Sequence, residues 1–145
     1  MEPIRLFLAD DDIDDRETLI EGLSNIPLNN LVHQFDNGVE LMADLFADTP
    51  LPDAIFLDLY MPLKTGFECL TEIREVPEFS EIGIIIYSTR YDQNVVDLLK
   101  ENGANQYIRK PISFNHLKTL LYKSMKSLVD AKENPSDENQ FFVML

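Results

Sequence analysis

The chain reads Ala54-Ile-Phe-Leu-Asp-Leu-Tyr-Met-Pro62 near its centre, an almost continuous apolar run that carries a single carboxylate. Buried strands of a parallel sheet read as unbroken hydrophobic runs of this kind. Asp58 stands at the carboxyl end of the run, and α/β folds place their functional sites at the carboxyl ends of the strands. The stretch therefore predicts a central parallel strand that ends in a functional acid.

Charged residues also end two other apolar runs. Asp10-Asp11-Asp12 follows the run 4–9, and Lys110-Pro111 follows Tyr107-Ile108. Because the carboxyl ends of parallel strands share one edge of the sheet, these groups are expected to form one site with Asp58.

Short apolar runs alternate with amphipathic stretches through most of the chain, which is typical of repeated βα units. The runs are 4–9, 31–35, 54–59, 84–87 and 107–108, and helical spacing of apolar residues follows each of them. The pattern predicts an α/β fold with a five-stranded parallel sheet in the order 2-1-3-4-5, doubly wound by five helices. Residues 1–131 form the predicted domain, and 132–145 form a tail.

The tail has two parts. Residues 130–140 are polar, and Phe141-Phe142-Val143-Met144-Leu145 ends the chain. Disorder is expected for the polar part. The apolar end either docks on the domain or binds a partner, for instance by adding a strand.

The composition limits the partners. A net charge of −14 over 145 residues argues against direct binding to nucleic acid or to an anionic membrane. A single cysteine, Cys69, fits a reducing compartment, and the apolar runs are too short to span a bilayer. With no signal peptide at the start, a cytoplasmic location is expected.

In the predicted strand order, strands 1 and 3 are neighbours, so Asp10 and Asp11 converge on Asp58. Clustered carboxylates repel one another unless a cation lies between them, and hard oxygen ligands suit Mg²⁺. Lys110 adds a fixed positive charge, and Ser88 adds a hydroxyl at the end of strand 4. These groups are the ones needed to form and hold an acyl phosphate.

The chain resembles the response-regulator receiver domains of two-component signalling and phosphorelays from about residue 4 to residue 129. Four separated motifs occur in the family's order: Asp10-Asp11, Asp58 with Met61-Pro62 and Gly66, Ser88-Thr89, and Lys110-Pro111. Each motif is weak alone, but the four together are a strong signal. The resemblance implies a flavodoxin-like receiver fold without an enzymatic output domain of its own.

The resemblance also implies roles for the acids. Asp58 accepts a phosphoryl group from a phosphohistidine of a sensor histidine kinase or a histidine phosphotransfer protein. Asp11 and Asp58 bind Mg²⁺ directly with the backbone carbonyl of Tyr60, and Asp10 holds the ion through water.

Other positions are implied to control the conformational switch and the lifetime of the aspartyl phosphate. By the resemblance, Lys110 pairs with the phosphoryl oxygens, Ser88 reaches the phosphoryl group, and Tyr107 turns inward as the serine moves. Thr89 narrows access to Asp58, and Tyr60 and Arg90 tune the lifetime of the aspartyl phosphate.

Two further expectations concern the backbone and the partners. The Lys110-Pro111 bond is expected to be cis. The output surface is expected on helix 4, strand 5 and helix 5, which, like the tail, is a plausible homodimer surface. The downstream effector is not encoded in the sequence.

Three alternatives fit the residues less well. An aspartyl phosphohydrolase usually has a second acid two residues after the first, where this chain has Tyr60. A flavodoxin-type electron carrier needs a phosphate loop after strand 1, and the acids there repel phosphate. A module that is never phosphorylated does not need the complete set of site residues.

Asp12, Asp14 and Asp15 are expected only to start a helix, where capping and the dipole favour acids.

Overall fold

Strands and helices alternate along the chain in the computed structural model, which describes residues 2–47, 49–133 and 141–145. The elements are β1 (Ile4–Ala9), α1 (Ile13–Ser24), β2 (Asn30–Phe35), α2 (Gly38–Leu45), β3 (Ala54–Leu57), α3 (Gly66–Arg74), β4 (Gly83–Ser88), α4 (Gln93–Glu101), β5 (Gln106–Arg109), α5 (Phe114–Glu133) and β6 (Phe142–Met144), with a short 3-10 helix at Pro77–Phe79.

All strands are parallel, and their order is β2-β1-β3-β4-β5-β6. The predicted order 2-1-3-4-5 and the five winding helices are therefore confirmed. The predicted number of strands is corrected from five to six, because a short strand near the end of the chain joins the sheet.

The sheet separates two cores, because successive side chains of a strand point to opposite faces. Leu6 and Leu8 of β1 pack with α1 and α5 on one face. Phe7 and Ala9 pack with α2, α3 and α4 on the other. Strands β3 and β4 are buried at every position, as the continuous apolar runs indicate.

The helix that follows β1 begins as predicted. Asp12 is the N-cap of α1, and its carboxylate accepts hydrogen bonds from the backbone N–H groups of Asp14 and Asp15. The cap satisfies donors that would otherwise lack partners, and it holds the first turn of α1 against the carboxyl edge of the sheet.

The sixth strand shows where the apolar end of the tail lies. The Phe142 N–H donates to the Asn105 carbonyl at 3.3 Å, and Val143 lies opposite Tyr107 in the register. Phe141 packs against the core of α2–α4, whereas Met144 packs against the core of α1 and α5. The polar part, 134–140, lies outside the described residues, and the boundary at residue 131 stays a prediction.

The predicted cis bond between Lys110 and Pro111 is wrong, because this peptide bond is trans. The Lys110 N–H donates to the Ser88 carbonyl at 2.8 Å and so extends the β4–β5 pairing by one residue. The lysine side chain reaches the acids at the sheet edge from this trans backbone, which is the lower-energy isomer.

Within the described part of the chain, no helix is long and apolar enough to cross a membrane.

Candidate functional site

The acids after β1 and β3 meet at the carboxyl edge of the sheet. The Asp58 N–H donates to the Ala9 carbonyl at 3.0 Å, which sets the ends of the two strands side by side. One carboxylate oxygen each of Asp10, Asp11 and Asp58 lies within 4.8 Å of the others. The structure thus brings together the three acids that the sequence predicted to converge.

The three acids differ in exposure. Asp10 is 1% exposed, and its Oδ1 accepts a hydrogen bond from the Asp12 N–H at 2.9 Å. Asp58 is 8% exposed, whereas Asp11 is open to solvent. The acid cluster is therefore buried at Asp10 and Asp58 and open to solvent at Asp11.

Gly66 allows the loop after β3 to pack tightly against the backbone of Asp58. A Cβ atom on Gly66 would lie 2.2 Å from the Asp58 carbonyl oxygen, far inside the contact distance. The Gly66 N–H donates to the Leu59 carbonyl at 2.9 Å, and Thr65 forms a capping box with Glu68. The start of α3 is thus fixed directly behind Asp58.

The pKa of the Asp58 carboxyl is raised to about 7. Burial is the largest cause, because the charged form loses its hydration. The Lys110 charge opposes the increase, and the Asp10 charge adds to it. The Lys110 charge alone therefore does not offset the effect of burial on Asp58, and a further cation beside the carboxylate would favour its ionised form.

Lys110 is held by two close carboxylates, and a third lies farther away. Its Nζ lies 2.8 Å from Oδ2 of Asp10, 2.8 Å from Oδ2 of Asp15 and 3.9 Å from Oδ2 of Asp58. Burial on its own lowers the pKa of Lys110, but the hydrogen bonds to Asp10 and Asp15 outweigh it and raise the pKa above its usual value. The lysine is therefore a permanent cation, and it contacts Asp10 and Asp15 more closely than Asp58.

Asp15 is the site residue that sequence reasoning missed. Its expected role was to start α1, but its carboxylate contacts a lysine 95 positions away. The sequence offers no signal for this contact, because acids are common in the first turn of any helix.

Ser88 and Tyr107 meet at the backbone of Arg90. Both side chains are 1% exposed. The Ser88 Oγ accepts a hydrogen bond from the Arg90 N–H at 3.4 Å, and the Tyr107 hydroxyl donates to the Arg90 carbonyl. The Tyr107 ring also packs edge-on against Tyr91, with centroids 6.0 Å apart. The tyrosine faces inward here and ties β5 to the loop before α4.

The side chains of Tyr60 and Arg90, which follow β3 and β4, contact each other. The Arg90 guanidinium lies 5.1 Å from the centroid of the Tyr60 ring, a cation–π distance. Tyr60 is 54% exposed, and Thr89 and Arg90 are exposed as well. The pair bridges the loops that follow β3 and β4.

The donor set fits a small divalent cation. Three carboxylates offer hard oxygen ligands within 4.8 Å of one another, and one of them has an elevated pKa because of burial and a neighbouring acid. Such ligands prefer Mg²⁺ or a similar ion, and its charge would relieve the repulsion.

Comparison with known proteins identifies the family to which the chain belongs. A family model described as "Response regulator receiver domain" matches residues 6–122. The chain is 36% identical over 89 residues to the probable C4-dicarboxylate response regulator DctR of Bacillus subtilis (strain 168), which covers 60% of this chain and 38% of that protein. The chain thus spans well under half the length of that relative.

The fold is also found in solved structures of response regulators. The phosphorylated cyanobacterial phytochrome response regulator RcpA superimposes with a TM-score of 0.81 at 27% identity, covering 90% of this chain and 96% of that chain. The Mn²⁺-bound form of the response regulator Rcp1 gives 0.75 at 25% identity, covering 83% and 91%. With the family model matching most of its length, this chain belongs to the response regulator receiver domains.

Proposed function

We propose that this receiver domain is a phosphoacceptor in which Asp58 takes a phosphoryl group from a phosphohistidine. The donor is a partner sensor histidine kinase or a histidine phosphotransfer protein. The observation that carries the proposal is that the Asp58 carboxylate lies within 4.8 Å of two other acids and 3.9 Å from a lysine. That combination places a nucleophile between a cation site and a fixed positive charge.

The acids are proposed to hold Mg²⁺. Asp11, Asp58 and the Tyr60 backbone carbonyl would hold the ion directly, and Asp10 would hold it through water. When bound, the ion neutralises charge on the transferring phosphoryl group. The fold neighbour Rcp1 has been solved in a Mn²⁺-bound form, which supports the binding of a divalent cation by a domain of this fold.

The transfer itself needs an ionised Asp58. Its carboxylate oxygen forms a bond to phosphorus as the phosphorus–nitrogen bond of the phosphohistidine breaks, and the imidazole keeps the bonding electrons. Lys110, already protonated, turns from Asp10 and Asp15 towards the new phosphoryl oxygens. An ammonium has three donors, so it can gain this contact while it keeps one of the others.

Ser88 and Tyr107 are proposed to transmit the change. Ser88 is a buried hydroxyl at the end of β4, and a phosphoryl group on Asp58 offers it a stronger acceptor than it has now. Its Oγ contacts the Arg90 N–H, and Tyr107 donates to the Arg90 carbonyl. Movement of Ser88 therefore reaches the loop before α4, and from there the proposed output face of α4, β5 and α5.

Two side chains support that output face. Leu98 on α4 is 46% exposed and Tyr122 on α5 is 37% exposed. Exposed apolar side chains on these two helices are available for contact with a partner protein. The domain is therefore proposed to act as a switch that changes its protein contacts rather than as an enzyme with its own substrate.

The lifetime of the phosphorylated state is proposed to depend on the side chains of Tyr60, Thr89 and Arg90. The Arg90 guanidinium stacks on the Tyr60 ring, two residues after Asp58, and Thr89 adds a branched side chain next to Arg90. Removing either member of the stacked pair should change how fast water reaches the aspartyl phosphate.

The test is phosphorylation by a small acyl phosphate, measured as a mass increase of the intact protein. One phosphoryl group is expected with Mg²⁺, none with a chelator, and none for Asp58→Asn. Asp36→Asn removes a carboxylate from an exposed position outside the cluster and is the matched control. Stoichiometric phosphorylation of Asp58→Asn would exclude Asp58 as the acceptor.

A further inference from the structure

The short strand β6 makes contacts on both sides of the sheet. It pairs with β5 over Phe142–Met144, with Val143 opposite Tyr107. Phe141 packs against one core and Met144 against the other, so the segment closes the β5 edge of both layers. Eight residues, 134–141, separate β6 from the end of α5.

The connections between the other strands all have one hand. From β1 to β2 the chain moves one way across the sheet, with α1 on the face that also carries α5. From β2 to β3, β3 to β4 and β4 to β5 it moves the other way, with α2, α3 and α4 on the opposite face. A crossover that runs in the opposite direction across the sheet, with its helix on the opposite face, has the same handedness. About 98% of such crossovers are right-handed, so these four are right-handed.

The connection from β5 to β6 has the opposite hand. It moves in the same direction as β3 to β4, but its helix α5 lies on the face of α1, where the two helices are in contact. Reversing the face alone reverses the hand. A left-handed crossover is rare because the twist of the strands and the coil of the helix work against it. The contacts of β6 with β5 and the two cores stabilise the pairing, but the left-handed connection from β5 to β6 within one chain is unfavourable.

We propose that the β5–β6 pairing is made between two copies of this chain, each giving its last strand to β5 of the other. A reciprocal exchange keeps every contact of β6, including the burial of Phe141 and Met144, because the receiving edge is identical. It also removes the left-handed crossover, since β5 and β6 then belong to different chains. This inference does not depend on the chemistry proposed for Asp58.

The connecting segment is long enough for the exchange. Nine steps from Glu133 to Phe142 span roughly 30 Å when extended, at about 3.3 to 3.6 Å per residue. Neighbouring strands are separated by about 4.8 Å, so a strand can cross to a second sheet edge that faces its own. The partner is identified by the chain itself, because the segment that fits the β5 edge is already present in each copy.

The experiment uses one full-length chain that carries a spin label and a second that carries ¹⁵N. The label is attached through Leu145→Cys, a position after β6 that is 58% exposed, in a Cys69→Ala background. The ¹⁵N chain has Cys69→Ala alone. The two are mixed in equal amounts, unfolded together, refolded and examined by NMR.

Exchange predicts that the amide signals of Gln106–Arg109 in the ¹⁵N chain lose up to half of their intensity, because random pairing gives half of these chains a labelled partner. A sample with label and ¹⁵N on the same chain is the control. This control sample is diluted into excess unlabelled Cys69→Ala protein and refolded. If the strands are exchanged, the doubly labelled chain keeps its β5 signals, because its β5 then pairs with an unlabelled copy. If β6 pairs within its own chain, the β5 signals are lost.

Light scattering at the same concentration should give twice the 16.7 kDa mass of the chain. The chain truncated after Gln140 should give a single copy. A monomeric full-length chain, or a dimer whose β5 signals are unaffected by the label on the other copy, would overturn the proposal.

Discussion

The Nζ atom of Lys110 lies 2.8 Å from Oδ2 of Asp15, a carboxylate in the first turn of α1. The same Nζ is 3.9 Å from the carboxylate of Asp58. Asp15 therefore competes with the proposed acceptor for the cation that the acceptor needs. The lysine therefore lies closer to the first turn of α1 than to the Asp58 carboxylate.

Asp15→Asn is expected to speed phosphorylation by a small acyl phosphate about two- to five-fold. The variant weakens one contact of Lys110 and leaves the lysine freer to reach the phosphoryl oxygens. The Asp15 side chain is 39% exposed, and partly exposed ion pairs contribute about 0.5 to 1 kcal/mol. Asp14→Asn is the matched control, because it removes the same charge from the same helical turn at an exposed position. Equal rates for the two variants would mean that Asp15 acts only through overall charge.

Mg²⁺ is expected to raise the melting temperature of the parent protein and to have no such effect on Asp11→Asn. An ion that binds the native state alone stabilises it by about 2.7 kcal/mol at a concentration of 100 times its Kd. Asp11 is exposed, so its substitution should change the metal-free stability by less than about 1 kcal/mol. Thermal melts with Mg²⁺ and with a chelator measure both effects. A parent that is indifferent to Mg²⁺ would show that the three carboxylates do not share an ion.

Asp58→Asn is expected to stabilise the metal-free protein more at pH 8 than at pH 5. The pKa of Asp58 is raised to about 7 in the folded protein from 3.8, mainly by burial, so the folded state binds this proton more tightly than the unfolded chain. The parent therefore gains stability as the pH falls from 7 towards 4, whereas the amide side chain of the variant does not titrate. Each pH unit within that window corresponds to about 1.4 kcal/mol, so the advantage of the variant should shrink by on the order of 2 to 3 kcal/mol. Urea unfolding in a chelator at the two pH values measures it, and an advantage that grew towards pH 5 would contradict the raised pKa.

Gly66→Ala is expected to destabilise the fold by at least about 2 kcal/mol and to slow phosphorylation. The added Cβ would lie 2.2 Å from the Asp58 carbonyl oxygen, a backbone atom that moves only if the site moves. Gly22→Ala is the control, because its Cβ meets the end of the flexible Leu121 side chain at 2.8 Å. Urea unfolding gives the stability of each variant. Equal losses for the two would mean that the loop after β3 adjusts freely.

Local pattern in the sequence was sufficient for most of the architecture. The continuous apolar runs predicted β1, β3 and β4 because a strand buried on both faces has no polar side to show. The alternation of runs and helical stripes predicted the five-stranded order, since right-handed βαβ units allow few arrangements. Asp58 at the end of the central run and the acids after β1 were placed at the same edge for that reason.

Only the tertiary structure decided the contacts between distant parts of the chain. The pairing of Lys110 with Asp15 joins residues 95 positions apart, and no periodicity reports such a distance. The inward Tyr107 and its bond to the Arg90 carbonyl depend on how β5 packs beside the loop before α4. The Lys110–Pro111 bond is trans, and the backbone of Lys110 continues the pairing with β4. The strand β6 exists because a sheet edge with unpaired backbone groups was available to it, and an edge is a property of the assembled sheet rather than of any segment.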